Sequence, residues 1–348
     1  MKISDKTFRR SIRTALILVY LVIVAGATVR MTGSGMGCPD WPKCFGYIIP
    51  PTEHAELEWK PINDFDQGQV IIKDSKLFVA QTDFKTENNF KPENWSVYKE
   101  HDYATFNPSH TWTEYINRLF GALAGLAVLI MAILSLFRED RKRRMIALSW
   151  ICVFLMGFQA WLGAQVVYSV LEPLKITIHM IAALGIVALI LVILYSVKKK
   201  TETPRTVPAQ AQTLGLIFLI LILVQIVLGT QVRQFIDAQV DKFGYDQPQK
   251  WLSPEPVVYM IHRTFSIAIL LFAILSLWQK RRYGLNFKSV NWIFILVLLE
   301  MATGILMAYA DFPFSSQALH LVLASILFGS VFYWVLQLFE NDFEHKIT

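Results

Sequence analysis

The residues best placed to do chemistry in this 348-residue chain are histidines set inside long apolar runs. His262 stands near the start of one such run and His320 near the start of another, two runs later. Runs separated by a single intervening span point the same way, so the two imidazoles lie at similar depth and can face each other. Two facing imidazoles suit a haem iron, which takes one axial ligand from each side. Zinc would want about four ligands, and no cysteine or further histidine falls in these two runs. The plainer alternative is two separate histidines, each hydrogen-bonded inside its bundle. The matching positions earlier in the chain are Asn117 and His179, so one imidazole is missing there. Glu114 stands one helical turn before Asn117 on the same face, where the later run has Tyr259. A carboxyl group close to the apolar zone is costly and suggests function by default. The alternative is an interfacial acid wetted at the membrane surface. An iron with a weak or open axial position can do chemistry, whereas a six-coordinate one carries electrons. These residues point to a reaction site in the first half of the chain and an electron-transfer haem in the second.

Four arginines fit that picture. Arg30 and Arg233 close two runs on one side, and Arg118 and Arg263 directly follow the positions of Asn117 and His262. Arginine bonds carboxylates in bidentate fashion, so all four are candidate partners for haem propionates; snorkelling at the interface is the competing explanation. Glu300 falls in the middle of the seventh run, with Gln159 at its repeat position. It is either a proton-path residue or a packed neutral carboxyl.

The elements that must position these groups are transmembrane helices. Hydrophobic residues make up 54% of the chain and charged residues 17%, against about 25% charged in soluble domains. The apolar residues fall in eight blocks of roughly the 20 residues that a bilayer requires of a helix. The spans are placed at about 14–32, 113–137, 146–168, 175–197, 211–232, 256–278, 289–310 and 317–338. This excludes a soluble enzyme, a disordered chain and a disulfide-stapled secreted domain, and the blocks are too long and uniform for a β-barrel. The net charge of +6 does not suggest nucleic acid, because the cations flank the apolar blocks. Lys2, Arg9, Arg10 and Arg13 precede the first block, which admits a cleaved signal peptide as an alternative. Arg138, Arg141, Lys142, Arg143 and Arg144 follow span two; Lys198, Lys199, Lys200 and Arg205 follow span four; Lys280, Arg281, Arg282 and Lys288 follow span six. The positive-inside rule then puts both termini in the cytoplasm and the loop of about 33–112 outside.

The chain also repeats. Gly26-Ala27-Thr28-Val29-Arg30 is echoed by Gly229-Thr230-Gln231-Val232-Arg233, and Ile116-Asn117-Arg118 by Ile261-His262-Arg263. Gln159, Gly163 and His179 are echoed by Glu300, Gly304 and His320, all at an offset of 141 residues. The expected fold class is an all-α integral membrane protein of eight transmembrane helices, arranged as two tandem pseudo-symmetric four-helix bundles. The halves are residues 1–200, with the outer-loop insertion, and 201–348.

Cys38 and Cys44 flank five residues of the outer loop, where a structural disulfide and a redox-active pair are both open. Cys152 lies inside span three and reads as packing. His54, His101 and His110 share the outer loop at irregular spacing, as solvated histidines or, less simply, metal ligands. Residues 53–105 are rich in Lys, Glu, Asp and Asn and read as a soluble, partly ordered insertion.

Val29-Arg30-Met31-Thr32-Gly33-Ser34-Gly35, Cys38-Pro39-Asp40-Trp41-Pro42-Lys43-Cys44 and Glu114-Tyr115-Ile116-Asn117-Arg118 together resemble the haem A synthase family. The resemblance covers all eight spans. It implies oxidation of the C8 methyl of haem O to the formyl of haem A for cytochrome oxidase assembly, and a bis-histidine haem b in the second half on His262 and His320. It further implies a catalytic role for Glu114, iron ligation of the substrate haem by His179, and a disulfide or redox role for Cys38 and Cys44. Haem O from a haem O synthase, membrane lipid, an external electron acceptor or donor and a second copy of the chain are the expected partners, and the short basic N-terminus points to a bacterial inner membrane. Asn117 departs from the family's histidine, and the 53–105 insertion is a second departure. Three alternatives follow from the residues: a b-type cytochrome that only transfers electrons, a haem carrier without activity, and a thiol oxidoreductase using Cys38 and Cys44.

Overall fold

The computed structural model describes residues 3–99, 105–139, 142–197 and 207–340. Among them are eight long helices: α1 (Asp5–Met31), α2 (Pro108–Leu136), α3 (Arg143–Tyr168), α4 (Pro173–Ser196), α5 (Ala209–Phe243), α6 (Val257–Arg282), α7 (Lys288–Tyr309) and α8 (Ser316–Leu338). All eight are long and apolar enough to cross a membrane. Their outward faces carry large apolar side chains, with Phe154 71% and Trp292 63% exposed. Water would penalise such faces, whereas lipid is as apolar as they are. Proline or a capping side chain sets several starts: Asn107 Oδ1 accepts from the Ser109 and His110 amides ahead of α2, and Pro173 opens α4.

Two boundaries differ from expectation. α1 begins at Asp5, because Ser4 Oγ accepts from the Thr7 amide and the early arginines extend the helix. Arg9 donates to the Val197 carbonyl at 2.6 Å and Arg138 pairs with Asp5 at 3.0 Å, while Phe8, Ile12, Ala15 and Val19 pack in the core. α5 runs about three turns beyond its apolar block. Its 35 residues make a rod of about 52 Å at 1.5 Å per residue, against a hydrocarbon core of about 30 Å. Lys2, His101, Arg141, Lys198, Lys199, Lys200 and Arg205 lie outside the described residues.

Successive helices pack as antiparallel neighbours. α1 to α4 close on themselves through α1 and α4, and α5 to α8 through α5 and α8. The two sets meet along α4 and α8, with α1 also on α8. At that seam Gly329 of α8 lies against Tyr20 of α1, whose hydroxyl donates to the Ser325 carbonyl at 3.4 Å. Small residues are what let membrane helices approach this closely.

Residues 32–99 are more ordered than their polar composition suggests. β2 (Val70–Lys73), β3 (Lys76–Ala80) and β5 (Trp95–Val97) form an antiparallel sheet in the order β2-β3-β5, and β1 (Asp64–Phe65) pairs with β4 (Phe84–Lys85). Asp74 and Ser75 join β2 to β3 with φ of 51° and 57°, the backbone a tight hairpin needs. Trp95, Phe65, Ile71 and Ala80 form a core of their own. The strands are too short to show an alternating pattern and carry charged residues themselves, which hides this unit from composition.

Candidate functional site

Four polar residues sit at corresponding places in the two helix sets, and each faces a glycine on the neighbouring helix. A Cβ on Gly229 would come within 3.2 Å of His262 Cε1, and one on Gly304 within 3.7 Å of His320 Cε1. In the first set a Cβ on Gly163 would lie 3.5 Å from His179 Cε1, and one on Gly26 3.8 Å from Asn117 Oδ1. The glycines that mark the sequence repeat therefore make room for the ring or amide opposite each of them.

His262 and His320 come together as expected, with ring centroids 6.3 Å apart and planes at 77°. Both line a cavity of about 270 Å³ bordered also by Arg30, Arg233, Tyr259 and Glu300. Nδ1 of His320 lies 2.8 Å from Thr303 Oγ1 and 3.0 Å from Glu300 Oε2. Nδ1 of His262 is buried without a partner, while Gln225 Nε2 donates to the His262 carbonyl at 3.1 Å. In the first set, Asn117 Oδ1 and His179 Nδ1 are both buried without partners, and Gln159 Nε2 donates to the His179 carbonyl at 2.7 Å.

The four arginines divide. Arg30 and Arg233 converge on Asp237, at 2.9 and 2.7 Å, and Arg233 also donates to the Arg30 carbonyl at 3.0 Å. They stand at the cavity rim with one carboxylate between them. Arg263 is half-exposed, 3.7 Å from Glu255, with its guanidinium over the Tyr259 ring. Arg118 faces away from any cavity chemistry: it pairs with Glu114 and donates to the carbonyls of Asp40 and Lys43, both at 2.7 Å. Glu114 is 4% exposed, and its Oε2 accepts the Cys38 amide at 2.8 Å.

Glu114 and Arg118 thus clamp the loop that holds the two cysteines. Cys38 and Cys44 lie at bonding distance, their Cα atoms 4.8 Å apart. Asp40 accepts from the Phe45 and Gly46 amides at 2.5 and 2.8 Å. Burial pushes its carboxyl above the usual range, against the pull of those two amides and of Arg118. Thr111 donates to the Gly37 carbonyl at 2.7 Å and Tyr168 to the Trp41 carbonyl at 3.0 Å, so α2 and α3 both grip the loop. Gly37 runs so close to the backbone of His110 that a Cβ has no room there. His54 pairs with Glu58 at 3.2 Å, and no group of three or more metal-ligating side chains occurs among the described residues.

Sequence reasoning did not single out Asp237 or Thr303. The four-residue step from Arg233 to Asp237 was available as a signal, but α5 was expected to end before it. Thr303 lies one turn from Glu300 on the same face, the spacing that lets both reach one ring.

A family model described as cytochrome oxidase assembly protein (COX15-CtaA) matches residues 9–332. The Heme A synthase of Rickettsia bellii is 26% identical over 369 aligned positions, covering 97% of this chain and all of the relative. The Heme A synthase of Alkalihalophilus pseudofirmus is 23% identical over 329 positions, covering 90% of this chain and 92% of the relative. That of Shewanella oneidensis is 27% identical over 219 positions, which span 63% of this chain and about half, 54%, of the relative's length.

Proposed function

The chain belongs to the cytochrome oxidase assembly protein family, and on that premise we propose that it is a haem A synthase: a multi-pass oxidoreductase of the bacterial cytoplasmic (inner) membrane that converts the C8 methyl of haem O to the formyl of haem A. The change from methyl through alcohol to aldehyde removes four electrons and adds one oxygen atom. Two unlike sites serve such a reaction better than two equal ones, because one must hold a cofactor for many turnovers and the other must release its product.

The second half is assigned the resident cofactor. The 6.3 Å between the ring centroids of His262 and His320 would leave room for one iron held between the two imidazoles. That separation is the observation that carries the assignment. A b-type haem bound there supplies reversible one-electron transfer. Arg30 and Arg233 at the rim and Arg263 at the α6 entrance are suited to hold its carboxylates.

The first half is assigned the substrate, haem O. Among the described residues, His179 is the imidazole at the repeat position of His320, and it serves as ligand to the substrate iron. Asn117 is a poor ligand, and its amide leaves the opposite side open. Glu114 sits one turn from Asn117, holds the cysteine loop over this end of α2, and is a carboxyl that can accept a proton once Arg118 or the Cys38 amide lets go of an oxygen. The Cys38–Cys44 pair is read as a structural disulfide on the outer side, since five separate hydrogen bonds already fix its loop. Haem O arrives from a haem O synthase, and the electrons leave to an acceptor beyond this chain.

Purified protein supplied with haem O and a redox partner system should yield the alcohol and the aldehyde by mass spectrometry, and His179→Ala should abolish both. Neither product, alongside an active relative, would overturn the proposal. Asn117 favours one competing account, in which the first half has lost its substrate site and the protein only transfers electrons. That account predicts no haem O bound and no effect of Glu114→Ala on haem chemistry.

A further inference from the structure

We propose that Glu300 and Thr303 are positioning residues that fix the tautomer and ring orientation of His320, a device the first half lacks. The inference rests on the assignment of His320 as a haem b ligand. The Thr303 hydroxyl lies 3.0 Å from the Leu299 carbonyl and 2.9 Å from the Glu300 carbonyl, so its hydrogen is taken up within α7. Only its lone pairs remain for His320 Nδ1, 2.8 Å away. Glu300 Oε2 is 3.0 Å from the same nitrogen. With the lone pairs of Thr303 facing it, Nδ1 carries the hydrogen, and the lone pair of the neutral ring is on Nε2, where a metal takes it. Gly304, on the next residue of α7, lets the ring lie close against the helix that holds it.

The first half offers the same scaffold without these groups. At the repeat positions of Glu300 and Thr303 stand Gln159 and Leu162. Gln159 reaches the backbone carbonyl of His179 and not its ring, and His179 Nδ1 has no partner. His320 is therefore held at Nδ1, whereas His179 and His262 are not. A ring backed by a carboxyl is a stronger and more persistent ligand, as a resident haem requires.

The test uses full-length protein in nanodiscs. His320→Ala first decides the underlying assignment: if the second-half haem b stays bound with a bis-imidazole spectrum, that assignment and this inference both fall. With it intact, the double variant Glu300→Leu/Thr303→Val should weaken haem b retention against apomyoglobin about 10- to 100-fold, the usual effect of removing such partners. Glu300→Gln, which keeps shape and a carbonyl oxygen but not the carboxyl group, should retain haem b and show a midpoint potential shifted from that of wild type. It also serves as the test if the double variant does not fold. Wild-type retention in the double variant together with an unshifted potential in Glu300→Gln would overturn the inference.

Discussion

The two helix sets place a glycine against a polar side chain at the same two points, yet only the second set puts two imidazoles there. Around His262 and His320 the structure opens a cavity and supplies arginines and a backed ring. Around Asn117 and His179 it spends its charged residues, Glu114 and Arg118, on clamping a loop. The difference teaches that a duplicated scaffold keeps its helix packing while a handful of side chains decide whether a site retains a ligand or exchanges one.

The comparison breaks most completely if the second site is removed. His262→Ala should eliminate haem b, measured as pigment per protein, while leaving helix content unchanged; persistence of the haem would mean the halves had been assigned the wrong way round. Next in size is the clamp. Glu114→Ala leaves Arg118 without its partner inside the fold, and breaking a buried pair in this way costs about 3–5 kcal/mol. Thermal unfolding should shift down, and Cys38 and Cys44 should become reducible faster than in wild type. The corresponding change in the second half, Tyr259→Ala, should leave the cysteines untouched.

Asn117→His sharpens the comparison by making the halves alike. It should convert the first site from one that exchanges haem to one that retains it, seen as a slower loss of haem O and a low-spin signal added to that of haem b. The smallest effect is expected at the rim. Asp237→Asn removes the carboxylate shared by Arg30 and Arg233, so haem b should bind a few-fold more tightly. A haem whose propionates are esterified should gain nothing.

Much of this was legible in the chain. The eight helices follow from apolar runs of bilayer length, and the equal depth of His262 and His320 follows from helix parity and the repeat. The missing imidazole at Asn117 was visible because the repeat supplies its own reference. Other features depend on distances that spacing cannot encode. Glu114 looked like an acid facing a site, but both of its oxygens are engaged by groups 76 and 4 residues away along the chain. The insertion at 53–105 read only as soluble and partly ordered, and its strands were not legible because, at two to five residues, they are shorter than the windows in which periodicity shows. Asp237 and Thr303 matter through what they touch, and neither type is rare enough to attract attention alone.

The central claim is that one chain carries a resident haem and a different, exchangeable haem substrate. It is tested most directly by extracting the pigments of the purified protein from cells that make haem O, with chromatography and mass spectrometry of each haem. Haem B together with haem O, its alcohol or haem A is the predicted result. Haem B alone, in cells where haem O is abundant, would contradict the claim and leave an electron carrier whose first half binds no substrate.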